Sequence, residues 1–387
     1  MKPEIMEKVK KLLSAEISPI YKEVAGLLGK QYRESRYLPW ILARCMTEQQ
    51  ARICLALPDT DRDPSLKKLE VSEAFAARVG LDRETVEKDI VNLYEKSFLN
   101  PTKRGPRPMN SFMEWFDLQN HTKFDQELGD EYFAAIGLML DYEWLEEKEK
   151  QIGARIASGQ PHLARIIPRW KAIKDIPGIV PGDDMREILK AHSLFGLINC
   201  ACRRRYKDRE CEQPDEVCLV MGNVAQSSID RGTARKITYE EAYDLITNKL
   251  AKYQMVQVGS RSEDPKKVIG LICSCHADCC VVLRTPMVVG SRYPVWEHYA
   301  KSRFRAVVDP EKCLGCGTCA KKRCQFKAAQ MRVYPDYENE RSWVNEELCM
   351  GCGCCVETCP SGALSMKIVE PPESLRPPDQ HDFYIKT

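Results

Sequence analysis

No stretch of this 387-residue chain approaches the roughly 18 apolar residues of a membrane-crossing helix, and the opening MKPEIMEKVKK lacks the apolar run of an export signal. The expectation is a cytoplasmic protein with no membrane span. An excess of one charge sign is missing too. Lys+Arg 58 against Asp+Glu 56 leaves a formal +2, so no global field draws the chain to nucleic acid or an anionic surface. There is no credible GxGxxG and no P-loop, which removes the usual signatures of nicotinamide, flavin and nucleotide phosphate binding. The length exceeds a single small domain and suits two or three.

Cysteine, by contrast, is abundant. The count of 19 is odd and no export signal accompanies it, so metal ligation accounts for the thiols better than disulfides do. Nine of them lie between Cys313 and Pro360, in CLGCGTCAKKRC and CMGCGCCVETCP, eight at ligand spacing and Cys354 between. Each half has Cys-x2-Cys-x2-Cys plus a remote fourth cysteine, the spacing with which a tight loop wraps a 4Fe–4S cube while the last thiolate crosses to a second one. Gly315, Gly317, Gly351 and Gly353 stand between ligands, where the backbone must turn sharply. This stretch resembles the two-cluster bacterial ferredoxin domain. The resemblance implies two 4Fe–4S clusters, one on Cys313, Cys316, Cys319 and the crossing Cys359, the other on Cys349, Cys352, Cys355 and the crossing Cys324. Four residues precede Cys324 where the family has three, and no proline follows it, so a different loop shape is expected there. Zinc also accepts Cys-x2-Cys, but the crossing cysteine and the Cys-Pro ending favour iron–sulfur. Exposed cubes are damaged by oxygen, which points to an anaerobic host.

Two further quartets follow different spacings. Cys200-x-Cys202-x8-Cys211-x6-Cys218 reads as a third four-thiolate site, iron–sulfur ahead of zinc. With the ferredoxin-like stretch it resembles multi-cluster iron–sulfur proteins of anaerobic bacteria over residues 190–370. Cys273-x-Cys275-x3-Cys279-Cys280 admits a fourth cluster, an open site that meets a substrate, or buried structural thiols, since neighbouring side chains on extended backbone face opposite ways. His276 is left without a role. Cys45 and Cys54 read as small core residues, and Cys354 as a spare within a ligand loop. Arg203, Arg204, Arg205, Lys207 and Arg209 crowd the first quartet, and Lys321, Lys322 and Arg323 precede Cys324. These cations either raise the potential of a nearby cluster, form a solvated face, or dock an acidic partner.

The pattern as a whole is α+β and multidomain. Residues 1–44 form a helical lead. Residues 45–118 resemble a winged helix: a capping box at Thr47 opens a helix through Ala56, a second runs from Ser72 to Val79, a third is capped by Asp82, and NPTKRGPRP forms the wing. The third helix carries more acids than bases, so protein docking or oligomerisation is expected there rather than DNA, with Lys103, Arg104 and Arg107 as the possible phosphate contacts. Residues 119–189 read as a helical connector, its charged YEWLEEKEKQIGARI as a solvated or connecting helix and PGIVPGDD as a linker. A Cys-rich α/β domain is expected over 190–302, opening on a helix that ends near Leu197 and containing a buried strand before Cys273. The ferredoxin-like domain spans 303–370, and a Pro-rich tail 371–387. The leading expectation is an iron–sulfur electron-transfer subunit of an anaerobic oxidoreductase, exchanging electrons with a redox partner such as a flavoprotein. The alternatives are a reductase with a substrate site at Cys273 to Cys280, and a redox-responsive winged-helix regulator.

Overall fold

The computed structural model describes residues 1–57, 69–102, 105–118, 122–206, 213–268 and 270–376. Cys211, Lys207, Arg209, Lys103 and Arg104 lie outside the described residues. Helix and sheet are mixed, and among the described residues no helix is long and apolar enough to cross a membrane.

The N-terminal half is built on local signals. Thr47 accepts from the Gln50 N–H while the Gln50 side chain reaches back, closing the capping box on helix Glu48–Ala56. Ser72 caps Glu73–Val79, Gly80 ends that helix in the left-handed conformation (φ +77°), and Asp82 caps Arg83–Glu95. Val86, Ile90 and Leu93 on this last helix are fully buried. An antiparallel hairpin of β1 (Leu99–Thr102) and β2 (Gly105–Pro108) follows. The hairpin is not free to reach a phosphate backbone with Arg107, which is 1% exposed and 3.8 Å from Glu114. Arg231 locks the unit to the rest of the chain, donating to the Leu99 carbonyl (3.1 Å) and to Asn100 Oδ1 (2.9 Å).

The middle of the chain is organised by one sheet, order β3-β7-β8-β5-β4-β6, from β3 (Ala164–Ile167), β4 (Phe195–Asn199), β5 (Glu216–Met221), β6 (Ala234–Ile237), β7 (Val256–Ser260) and β8 (Leu271–Cys275). Every pairing in it is antiparallel, so the layered α/β arrangement expected for residues 190–302 is not what forms. Hairpin-like returns replace βαβ crossovers. Two element assignments change with it. Leu197 is in strand β4, not at a helix end; the helix there is Met185–Lys190. Residues 164–167 of the expected helical connector are strand, because Ile166 and Ile167 bury completely against β7, a pairing partner remote in sequence.

The C-terminal part pairs β9 (Phe304–Val308) with β12 (Leu364–Ile368) and β10 (Ala329–Arg332) with β11 (Arg341–Val344). Phe304, Ala306, Ala328, Leu364 and Met366 make its core, joined by Ala172 and Ile173 from the preceding segment. PGIVPGDD is a joint rather than a solvated linker. Asp183, fully buried, sits 2.5 Å from Arg303 Nη1 and 3.8 Å from Arg165. In the Pro-rich stretch Leu375 is 1% exposed and the Ser374 carbonyl accepts from Arg261, so at least this part packs on the body of the chain.

Candidate metal centre

Both ligand loops turn on glycines with positive φ: Gly315 (+70°) and Gly317 (+69°), then Gly351 (+70°) and Gly353 (+78°). In the first loop the buried Cys319 thiol donates to Ser342 Oγ (3.1 Å), and the Ser342 N–H donates to Cys313 Sγ (3.4 Å). Burial pushes the Cys319 thiol up, and Cys313 and Cys316 are near enough to add to it. Cys359 packs into the same apolar core as Cys319. Cys324, Cys349, Cys352 and Cys355 line one small cavity closed by alanine, valine and phenylalanine side chains. The Ala329 N–H donates to Cys324 Sγ (3.4 Å). Four thiols on one apolar cavity, with a backbone N–H aimed at sulfur, fit a 4Fe–4S cube and the tuning of its potential. The extra residue before Cys324 is absorbed as a π turn over Cys319–Arg323, with the Cys324 N–H bonded to the Cys319 carbonyl at 2.9 Å.

The two remaining quartets, read as separate sites, are brought together. β4, β5 and β8 are neighbours in the sheet, and Leu219 pairs with Ile272, so Cys218 comes opposite Cys273 one step along the register. Cys200 follows β4 directly and Cys202 lies on the short helix Ala201–Arg204. The thiols then touch in a closed ring. Cys200 hydrogen-bonds Cys202 and Cys218, Cys273 bonds Cys218 and Cys275, and Cys280 bonds Cys202 and Cys275. Hydrogen bonds from Cys218 and Cys275 draw Cys273 down to about 6, and those from Cys202 and Cys218 pull Cys200 well below the usual thiol range, in both cases against burial. Cys279 lies 4.0 Å from the His276 carbonyl, while His276 Nδ1 is held by Asp278 at 2.6 Å. Among the described residues no three His, Cys, Asp or Glu side chains are posed around a single ion, and that includes the ferredoxin-like loops. Cys45 and Cys54 are core residues as expected, with burial pushing both thiols up to about 12.

Arg203, Arg204 and Arg205 are 4%, 3% and 1% exposed, so they form neither a solvated face nor a docking patch. Arg204 is paired with Asp125, and the Arg203 backbone N–H supports the Cys200 thiolate. Arg205 lies between the rings of Phe116 and Phe133, 5.2 Å from each centroid.

One side chain joins the two regions. Gln325, next to Cys324, donates to the Cys275 carbonyl (3.2 Å) and the Gln254 carbonyl (2.5 Å), and accepts from the Ala277 N–H (2.7 Å). Around it Cys275, Cys280, Phe326, Met350 and Cys354 form a single apolar cluster, with Cys324 and Cys352 packed against it. Cys354, the spare cysteine, is buried there and donates to the Met255 carbonyl at 3.5 Å.

The thiol ring opens on a cavity of about 1690 Å³. Near the thiols stand Asp117 and Tyr299, neither singled out by any sequence pattern. Burial raises both well above their ordinary ranges, and the surrounding cysteines add to the effect. Elsewhere the wall carries basic side chains, with Glu297 and Glu373 among them. Lys148 and Arg155, from the helix read as a solvated connector, meet Arg261, His162 and His298 there. Burial and then Arg155 push Lys148, Arg261 and His162 down, the last to about 4; His298 falls to about 4 through burial and then Lys148. Arg155 is paired with Glu297, whereas Lys148 forms no ion pair among the described residues.

Glycine-turned cysteine loops on short antiparallel pairs suit a 4Fe–4S binding domain of ferredoxin type. In agreement, residues 342–365 match the family of the 4Fe–4S binding domain, so the chain carries such a domain and at least one 4Fe–4S cluster. No curated protein and no solved structure matches the chain.

Proposed function

We propose that the chain is an iron–sulfur electron-transfer subunit of a cytoplasmic oxidoreductase of an anaerobic organism. Cys313, Cys316, Cys319 and Cys359 hold one cluster and Cys349, Cys352, Cys355 and Cys324 the other. When bound, the clusters supply one-electron storage and exchange with little rearrangement. The observation that carries this reading is Gln325, which ties the Cys324 loop to the Cys273–Cys280 loop by two hydrogen bonds and to Gln254 by a third, beside an apolar cluster that both loops share. At the other end Cys316 is exposed beside Leu314, itself 70% exposed, and Lys321 and Lys322 stand on the same turn. That is where a redox partner, a flavoprotein or another subunit, docks. The unit at 45–118 serves as a winged-helix scaffold for protein contact or oligomerisation; with Arg107 buried, its basic wing is reduced and DNA regulation loses support.

The test follows electrons between the regions. Anaerobically purified protein is mixed with a low-potential reductant and freeze-quenched for EPR. The ferredoxin-type signal is expected to rise first and then share its electrons with a second species. Gln325→Ala is expected to slow that second phase, to leave the iron content unchanged, and to cost about 1–3 kcal/mol of stability through the unmet carbonyls and N–H. A chain whose electrons never leave the ferredoxin-type clusters would sink the relay.

A second reading, a reductase, is favoured by one observation: the cavity is far larger than six thiols need, and it has an acid and a phenol at one end and cations at the other. On this reading the substrate is an organic anion, its carboxylate or phosphate held by Lys148 and Arg261 and its reducible part beside Asp117 and Tyr299. Inorganic phosphate and oxalate, each compared with chloride at equal ionic strength, are expected to raise Tm in the unmodified protein and to lose that effect in Lys148→Gln. No shift with either anion returns the cavity to a structural role.

A further inference from the structure

We propose that Cys200, Cys202, Cys218, Cys273, Cys275 and Cys280 together hold one polynuclear iron–sulfur cluster, larger than a single 4Fe–4S cube, with ligands drawn from both cysteine segments. The proposal rests on the iron–sulfur reading of the chain and deepens it.

Four observations lead there. The contacts form a closed ring that alternates between segments at two points, Cys202 to Cys280 and Cys218 to Cys273, so no cut divides the six thiols into two independent groups. A cube takes four thiolates, and the ring links six. All six also line the cavity of about 1690 Å³, which leaves room on one side of the ring for a large inorganic core. Finally, none of the three guanidinium nitrogens of Arg205 has a hydrogen-bond partner among the described residues, although the side chain is 1% exposed. An isolated buried cation is costly, by several kcal/mol, unless a negative charge lies near it. Arg205 is three residues beyond Cys202, its N–H bonded to the Cys202 carbonyl at 3.2 Å, and its guanidinium lies between the rings of Phe116 and Phe133. Ligating thiolates, which must be deprotonated, add negative charge on this side of the guanidinium beyond that of Asp125.

The test compares metal content and spectra of anaerobically purified protein with two variants, Cys218→Ser from one segment and Cys275→Ser from the other, and with Cys355→Ser as a control for the ferredoxin-type clusters. Iron in the unmodified protein is expected to exceed the roughly eight atoms of two cubes, and its Mössbauer spectrum to contain one spin-coupled component beyond theirs. Each of the two variants is expected to lose that whole component while keeping the ferredoxin-type EPR signal; Cys355→Ser is expected to do the reverse. If each variant instead loses a different set of about four irons, the segments hold separate cubes and the proposal is overturned. Zinc in place of the extra iron, or no metal beyond the ferredoxin-type clusters, overturns it as well. The spectrum of the unmodified protein decides the matter even where a variant fails to fold. Loss of iron in the Cys355 control alone speaks to the ferredoxin reading and not to this one.

Discussion

Alanine at Gly351 is expected to empty the Cys349–Cys355 loop of iron and to lower Tm sharply. The added Cβ would lie 2.1 Å from the Phe304 carbonyl oxygen and 2.1 Å from Ser302 Oγ, at a φ of +70°. Neither neighbour can retreat easily. Phe304 belongs to β9 and is paired with Ile368, while Ser302 Oγ donates to the Gly351 carbonyl itself at 2.7 Å. The left-handed backbone alone costs an alanine roughly 1–2 kcal/mol, and a backbone collision brings the total above about 4 kcal/mol, the range reserved for gross misfits. Gly362 provides the matched control. Its φ is +66°, yet nothing lies within 4 Å of the Cβ position, so Gly362→Ala should show the conformational cost alone. Iron per chain and thermal unfolding, measured side by side, separate the two. Equal behaviour of both variants would mean that the Phe304 contact yields.

Asp183→Asn is the second large effect. Asp183 is the shared anion of two guanidiniums that are themselves 1% and 2% exposed, Arg165 and Arg303. Burial has already pushed Arg165 down to about 10, with Asp183 holding it up. Removing the carboxylate charge leaves two cations buried together, for which a loss of about 3–5 kcal/mol is expected. The triple change Asp183→Leu, Arg165→Met and Arg303→Met should recover much of it, because apolar packing avoids the desolvation of all three charges. Urea unfolding reads both. A loss under about 1 kcal/mol would place the network within reach of solvent, where ion pairs contribute little. The joint matters for function because Arg303 precedes β9 of the ferredoxin-like part and Arg165 lies on β3 of the large sheet. Asp183 therefore helps hold the ferredoxin-like part and the large sheet at a fixed separation.

Features whose causes lie within a few residues could be read from the chain alone. The caps at Thr47, Ser72 and Asp82, the left-handed turn at Gly80 and the glycine-spaced cysteine loops all follow from local backbone geometry and side-chain reach, which spacing encodes directly. The additional residue before Cys324 was visible as a changed spacing, although not as the π turn it becomes. What spacing does not encode is which strand lies beside which. The apolar run in VIGLICSC marks a buried strand but carries no label for its neighbour, so the adjacency of β8 to β5, and with it the meeting of Cys218 and Cys273, depends on how distant apolar faces are buried together. For the same reason the arginines after Cys202, for which a solvated face or a docking patch stood beside a role at a cluster, turn out to be interior, and Lys148 and Arg155, on a helix read as solvated or connecting, turn out to line a cavity. Charge says only that a group prefers water. Whether it is left in water or buried beside an opposite charge is settled by the packing around it, and in this chain that packing gathers the thiols, the buried cations and the cavity into one place.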